Sequence, residues 1–353
     1  MNFKRAIALI LSLVMTAGMV ACGGNSAPAS SAPVSSAPAS SEAAADKPSL
    51  VITFNDSQPE TSLIGTSIKN FGKYLAEESD GRIKLEYYPA AQLGNGTTSM
   101  QQMQVGALDM YRCDASALYD FGVDSMKVPG LPFIFESREH AIEIVNGELG
   151  HQWLQDITDA NVGFVGIGWL IDTPRCFFTA KTPVTKLADA KGLKIRSLEA
   201  SMYLDYKSGL GLNPVPLAFS EVYTSLSTGV IDAAANTLDS FVNNKFEEVC
   251  KYFILNEGMI PLYPVVFSAE NWKKISEEDQ KIIIDCWNRA SADYDAAAGD
   301  LFETQKKDME AAGVTFCELE DKEAWIEATE PVIAKYSTGY EDVVAEIRSW
   351  YTK

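Results

Sequence analysis

Between Ser276 and Gly313 the chain reads "SEEDQKIIIDCWNRASADYDAAAGDLFETQKKDMEAAG", helical in period and free of proline. Ser276 and Asp279 make a variant capping box at its start, and Gly313 supplies the stop. One helix of more than thirty residues follows. Helices in globular domains average about 11–12 residues, so this one exceeds what a single compact domain needs and predicts an element bridging two lobes.

From Ser49 onward β-rich runs alternate with helical ones, which is the α/β signature. "LVITFN" at 50–55 and "RIKLEYYP" at 82–89 flank a helix through "IKNFGKYLAEE". Thr97 or Thr98 caps the next helix, which carries Met100 and Met103 and ends at Gly106. "NVGFVGIGWL" at 161–170 predicts a core strand, and the rhythm then repeats through "GLKIRSL", a helix over 202–208, the extended "NPVPLAF", a helix from Ser220 and the strand "PLYPVVFSAENW".

The start of the chain does not share this pattern. Lys4 and Arg5 precede an apolar run from Ala6 to about Ala17, too short for a permanent membrane span, which predicts an export signal. Met19-Val20-Ala21-Cys22 resembles a bacterial lipobox, with Met19 where leucine is usual, so Cys22 is expected to carry lipid. From Gly23 to Pro48 the composition narrows to Ser, Ala, Pro and Gly, with Ser-Ala-Pro recurring at 26, 31 and 36; this predicts a disordered tether.

Charge and side-chain inventory exclude several functions. The 353 residues carry a formal charge of −19, and removal of Lys4 and Arg5 with the leader leaves 27 basic against 48 acidic residues, or −21. Nucleic acid and anionic membrane surfaces are poor partners for such a surface, and any anionic ligand has to be held by local arginines. Cys113, Cys176, Cys250, Cys286 and Cys317 show no close-spaced pair and read as small buried hydrophobes, with a disulfide left open. His140 and His151 fall in what reads as a solvated helix before Gly163, which argues against a histidine triad or a zinc site. No metal or cofactor is expected.

One residue does not fit its element. In "KGLKIRSLEA" (191–200) Arg196 ends a buried strand on the face opposite Leu193 and Ile195, where a cation needs a partner. The longer stretches "YPAAQLGNGTTSMQQMQVGALDM" (88–110) and "ADAKGLKIRSLEASMYLDYKSGLGLNPVPLAFSEVYTSLSTGVIDAAANTL" (188–238) resemble the solute-binding proteins of tripartite ATP-independent periplasmic (TRAP) transporters, the C4-dicarboxylate-binding (DctP) type. The resemblance runs from about Leu50 to the C-terminus and rests on "AQLG", "GALD", "KGLKIR", "P-x-x-F-S-E-V-Y-T-x-L" and "G-x-x-D-A".

That resemblance implies an α/β periplasmic-binding-protein fold: two lobes joined by a hinge, a long helix spanning both, and a ligand trapped as the lobes close. After the signal peptide and lipobox at 1–22 and the tether at 23–48 read above, it implies a first lobe from 49–172 with about 262–301, and a second from 173–261 with about 302–353. It also implies no enzyme, but a lipid-anchored extracytoplasmic receptor delivering an organic acid to the small and large membrane subunits of a permease. Two other readings remain open: a sensor or surface lipoprotein without a transport role, and a carbohydrate-active surface enzyme using paired carboxylates. The latter lacks any nucleophile elbow or metal constellation.

The same resemblance places Arg196 on the ligand carboxylate in a planar two-bond contact that lysine does not reproduce. It places Arg175, in "DTPRCFFTAKTP", as a second charge contact, Asn236 as a hydrogen-bond donor to the same carboxylate, and Phe219 and Trp169 as cleft walls. From the first lobe it offers Asn55, Glu60 and Asp114, acceptors that favour a sugar acid such as a hexuronate over a C4-dicarboxylate. Gly96 stands where related chains often carry a polar contact. Each residue also has a purely structural reading: a snorkelling or paired arginine, a turn asparagine, core aromatics, capping acids.

Overall fold

The computed structural model describes residues 49–352; the leader, the lipobox at Cys22 and the tether to Pro48 lie outside them. Eleven strands follow in chain order: β1 Leu50–Asn55, β2 Ile83–Tyr88, β3 Met110–Arg112, β4 Phe164–Ile171, β5 Arg175–Thr179, β6 Lys194–Ser197, β7 Asn213–Pro216, β8 Ala233–Asn236, β9 Tyr252–Met259, β10 Leu262–Ser268 and β11 Thr315–Cys317. They form two mixed sheets, ordered β2-β1-β3-β10-β4 and β11-β9-β5-β8-β6-β7. Each sheet is covered by helices and forms the centre of one lobe of an α/β structure.

Strand directions fix where a ligand can sit. In the first sheet β1 runs parallel to β2 and β3, whereas β10 runs against β3 and β4. In the second, β6 is parallel to β7 and β8, and β5 opposes β8. The carboxyl ends of β1 and β3 therefore lie beside the start of β10, and the ends of β6 and β8 beside the start of β5. Open α/β sheets bind ligands outside such carboxyl ends. Hydrogen bonds join residues near these two edges, from Tyr203 Oη to Asp114 (2.8 Å), from the Ser201 amide to Asp120 (2.8 Å) and from Thr97 Oγ1 to Glu199 (3.1 Å).

Three passages connect the sheets: Ile171 to Arg175, Met259 to Leu262, and the long helix. The helix spans Glu277–Ala311, 35 residues, with Ser276 Oγ accepting from the Asp279 amide at 3.2 Å. Gly313, at φ +90°, turns the chain out of it in a conformation open chiefly to glycine. Trp287, Ala290 and Tyr294 pack in the first lobe's core with Phe54 and Phe71, whereas Met309 joins the second lobe's core with Phe178 and Phe253.

Gly299 lies between these two anchorages, and a Cβ there would meet no atom within 4 Å. Packing therefore does not require the glycine, although a helix-interior glycine is less stable than alanine by about 0.5–1 kcal/mol. Gly299→Ala is expected to raise the denaturant midpoint by an amount in that range. An unchanged or lower midpoint would show that this turn of helix departs from helical geometry in the folded protein.

Two readings are corrected. His140 is fully buried, its ring stacked on Trp350 at 4.6 Å, because the segment folds as two helices, Arg138–Asn146 and Glu148–Asp159, with one face turned inward. The helix read from Ser220 opens instead as a 3₁₀ turn, Phe219–Glu221, in which Glu221 accepts from the Ala218 amide at 3.1 Å; the α-helix runs Val222–Thr228. The five cysteines agree with their reading as small buried hydrophobes: among the described residues they are free and buried.

Candidate functional site

Arg196 sits on β6 and is 6% exposed. Its Nε donates to the Leu217 carbonyl at 3.1 Å, and its guanidinium lies 5.8 Å over the Phe219 ring. Phe219 is itself braced edge-on by Phe246 at 6.1 Å. Arg175, at the start of β5, donates through Nη2 to Tyr263 Oη at 2.8 Å and lies 5.3 Å from the Tyr203 ring, while its buried Nε has no hydrogen-bond partner. Burial, and then the neighbouring Arg175 charge, bring the Arg196 guanidinium down to about 10, still protonated at neutral pH.

A third basic side chain lies beneath these two. Lys207, 2% exposed on the helix Ser201–Gly209, donates Nζ to the Arg196 carbonyl at 2.5 Å. Among the described residues none of the three forms an ion pair with a carboxylate. The nearby acid is Asp114, whose Oδ2 accepts from Tyr203 and whose Oδ1 accepts from the Ser116 amide (3.0 Å) and hydroxyl (2.5 Å). Asp114 thus caps the helix Ala115–Asp120 and links the two sheets.

A cavity of about 130 Å³ lies between the sheets, with Arg196, Phe219 and Glu199 on one side and Asp114, Tyr111 and Gly96 on the other. A Cβ on Gly96 would lie 3.1 Å from Tyr111 Oη, so the tyrosine hydroxyl takes the space that a side chain at 96 would use. Asn236 ends β8 opposite Cys176, next to Arg175, and its Oδ1 accepts from the Thr237 amide at 3.0 Å.

Three predicted residues lie elsewhere. Trp169 points to the far side of β4, its indole donating to Gly150 at 3.1 Å and packed edge-on against Trp153, so it is core and not a cleft wall. Asn55 is fully buried and spent on the "AQLG" loop, donating to Gly94 (3.0 Å) and Ser99 (2.7 Å) and accepting from Leu93 (3.2 Å). Glu60 is exposed and does not line the cavity. Cys22 lies outside the described residues.

Sequence reasoning missed Arg112, bound to Asp56 through Nε (2.8 Å) and Nη2 (3.0 Å), both side chains almost fully buried. The Arg112 guanidinium stacks 4.1 Å from the Tyr263 ring, whose hydroxyl holds Arg175. The signal was present: "MYR" is a three-residue apolar strand ending in arginine, the same anomaly that singles out Arg196.

The model of the bacterial extracellular solute-binding proteins, family 7 (DctP), matches residues 54–339. A C4-dicarboxylate-binding periplasmic protein of Rhodobacter capsulatus is 30% identical, over 80% of this chain and 85% of its own. Among solved structures, a TRAP periplasmic solute-binding protein of Pseudomonas putida F1 with bound D-glucuronate superposes with a TM-score of 0.81 at 29% identity, covering 84% of this chain and 96% of its own. One from a Bradyrhizobium species in complex with D-galacturonate gives 0.80 at 29% identity, covering 84% and 99%.

Proposed function

The chain belongs to the family 7 bacterial extracellular solute-binding proteins, the TRAP solute-binding type, and on that premise we propose that it captures a hexuronate or closely related sugar acid. Arg196 and Arg175 hold the carboxylate, Asn236 adds a hydrogen bond, Phe219 covers the apolar face, and Asp114 accepts from hydroxyls. The lobes divide near residues 172, 261 and 301. In the same reading a lipid on Cys22 holds the receptor outside the membrane, and the closed form passes its cargo to a two-subunit permease; no reaction is assigned.

The observation that carries this reading is the pair of buried arginines without a carboxylate partner. A sugar acid fits better than a dicarboxylate because the opposite wall is already neutralised: Arg112 is matched by Asp56, leaving hydroxyl and carboxylate acceptors there. Relatives that bind D-glucuronate and galacturonate support the same choice.

A thermal-shift series on protein stripped of co-purified ligand tests it. D-glucuronate or D-galacturonate at a hundredfold excess over Kd is expected to add about 2.7 kcal/mol and raise Tm by several degrees. A shift with succinate or malate alone overturns the sugar-acid assignment; no shift with any acid overturns the carboxylate role of the arginines.

A further inference from the structure

Lys207 lies beneath the two arginines but has been given no role in binding so far. It is 2% exposed, without a carboxylate partner among the described residues, and its one hydrogen bond is to the carbonyl of Arg196 itself. Arg196 on β6 and Arg175 on β5 both act on it, and Asp114, across the cleft, is the acid that opposes them. Tyr203 on its own helix lies 5.8 Å away through its ring, and Lys335 on the neighbouring helix Lys322–Tyr336 is held by Asp205 at 2.5 Å. β7, "NPVP", brings no charge. An ammonium buried beside two arginines is disfavoured unless a neighbour is negative.

We propose that Lys207 is the positioning residue for Arg196 and the proton-coupled element of the site: neutral while the cleft is empty, it takes up one proton from solvent when a carboxylate settles against the arginines. Only the amine and the proton change; the neutral and charged forms both donate to the Arg196 carbonyl, so the geometry of β6 is kept throughout. Burial, reinforced by Arg196 and then Arg175, holds the lysine well below its ordinary value, and an anion arriving among these groups reverses much of that penalty. This inference rests on the carboxylate reading above.

Two measurements on the wild type and on Lys207→Met test it, and the first needs no ligand. An amine depressed in the folded state binds fewer protons there than in the unfolded chain, so stability rises with pH between its folded value and the ordinary lysine value of about 10.4. In denaturant melts from about pH 6 to about pH 9, wild type should therefore gain stability relative to Lys207→Met as pH rises; a difference that stays constant or moves the other way overturns the proposal. The second is titration calorimetry of D-glucuronate in phosphate and in Tris. Wild type should show a buffer-dependent enthalpy that reports proton uptake, and Lys207→Met should lose that dependence while binding roughly two- to tenfold more weakly. Equal enthalpies in the two buffers for wild type, or an undiminished dependence in the variant, also overturn it. Failure of the wild type to bind any uronate removes the functional reading instead, and the melts still decide the state of Lys207.

Discussion

Arg196→Ala is expected to weaken D-glucuronate binding by roughly thirty- to a few thousand-fold, the consequence of removing one partner of a buried charge pair worth about 2–5 kcal/mol. Titration calorimetry reads this directly. The same substitution should leave the Tm of the empty protein unchanged or raise it. Arg196 gains only the Leu217 carbonyl and the Phe219 ring in the absence of ligand, and it faces the like charge of Arg175. A purely structural arginine behaves the opposite way: its loss lowers Tm and spares binding. Arg196→Lys should fall between wild type and alanine, because an ammonium keeps the charge and loses the two-bond geometry. A drop in Tm with unaltered affinity would reassign Arg196 to the scaffold.

Residues were legible in the sequence where a local rule was broken, and hidden where a rule was absent. The long helix needed only a cap at Ser276, a stop at Gly313 and the lack of proline between. Arg196 was visible because a charge at the end of an apolar strand has few explanations. By contrast β8 reads Ala-Ala-Ala-Asn, with no β-branched residue and no alternation; its alanines are buried between β5 and β6, where small side chains fit and propensity has little say. Trp169 and Asn55 were misplaced for a related reason. Spacing puts a residue on a strand but does not say which of two packed faces receives it, and both faces of β4 are covered, by the helix Glu148–Asp159 on one side and the long helix on the other. Lys207 and Tyr203 lie on one short helix with no clear apolar stripe, and the groups they meet come from β5 and β6.

The second large effect is on stability. Asp56 and Arg112 are 0% and 4% exposed and share two hydrogen bonds, and Asp56 also accepts from the Gln58 amide at 2.7 Å. Removing one partner leaves an uncompensated charge in the interior, so Asp56→Ala is expected to lose about 3–5 kcal/mol in denaturant unfolding. The loss should extend to binding, since Arg112 supports the Tyr263 ring and Tyr263 Oη holds Arg175. Removing both charges at once tests the origin of the effect: Asp56→Leu with Arg112→Met should recover most of the stability, because a buried ion pair is often no more stable than apolar groups of similar volume. If the double variant is stable but binds D-glucuronate weakly, the pair serves the cleft by orienting Tyr263 and Arg175. If it binds as wild type does, the pair belongs to the first lobe's core alone, and the neutral wall opposite the arginines does not depend on it.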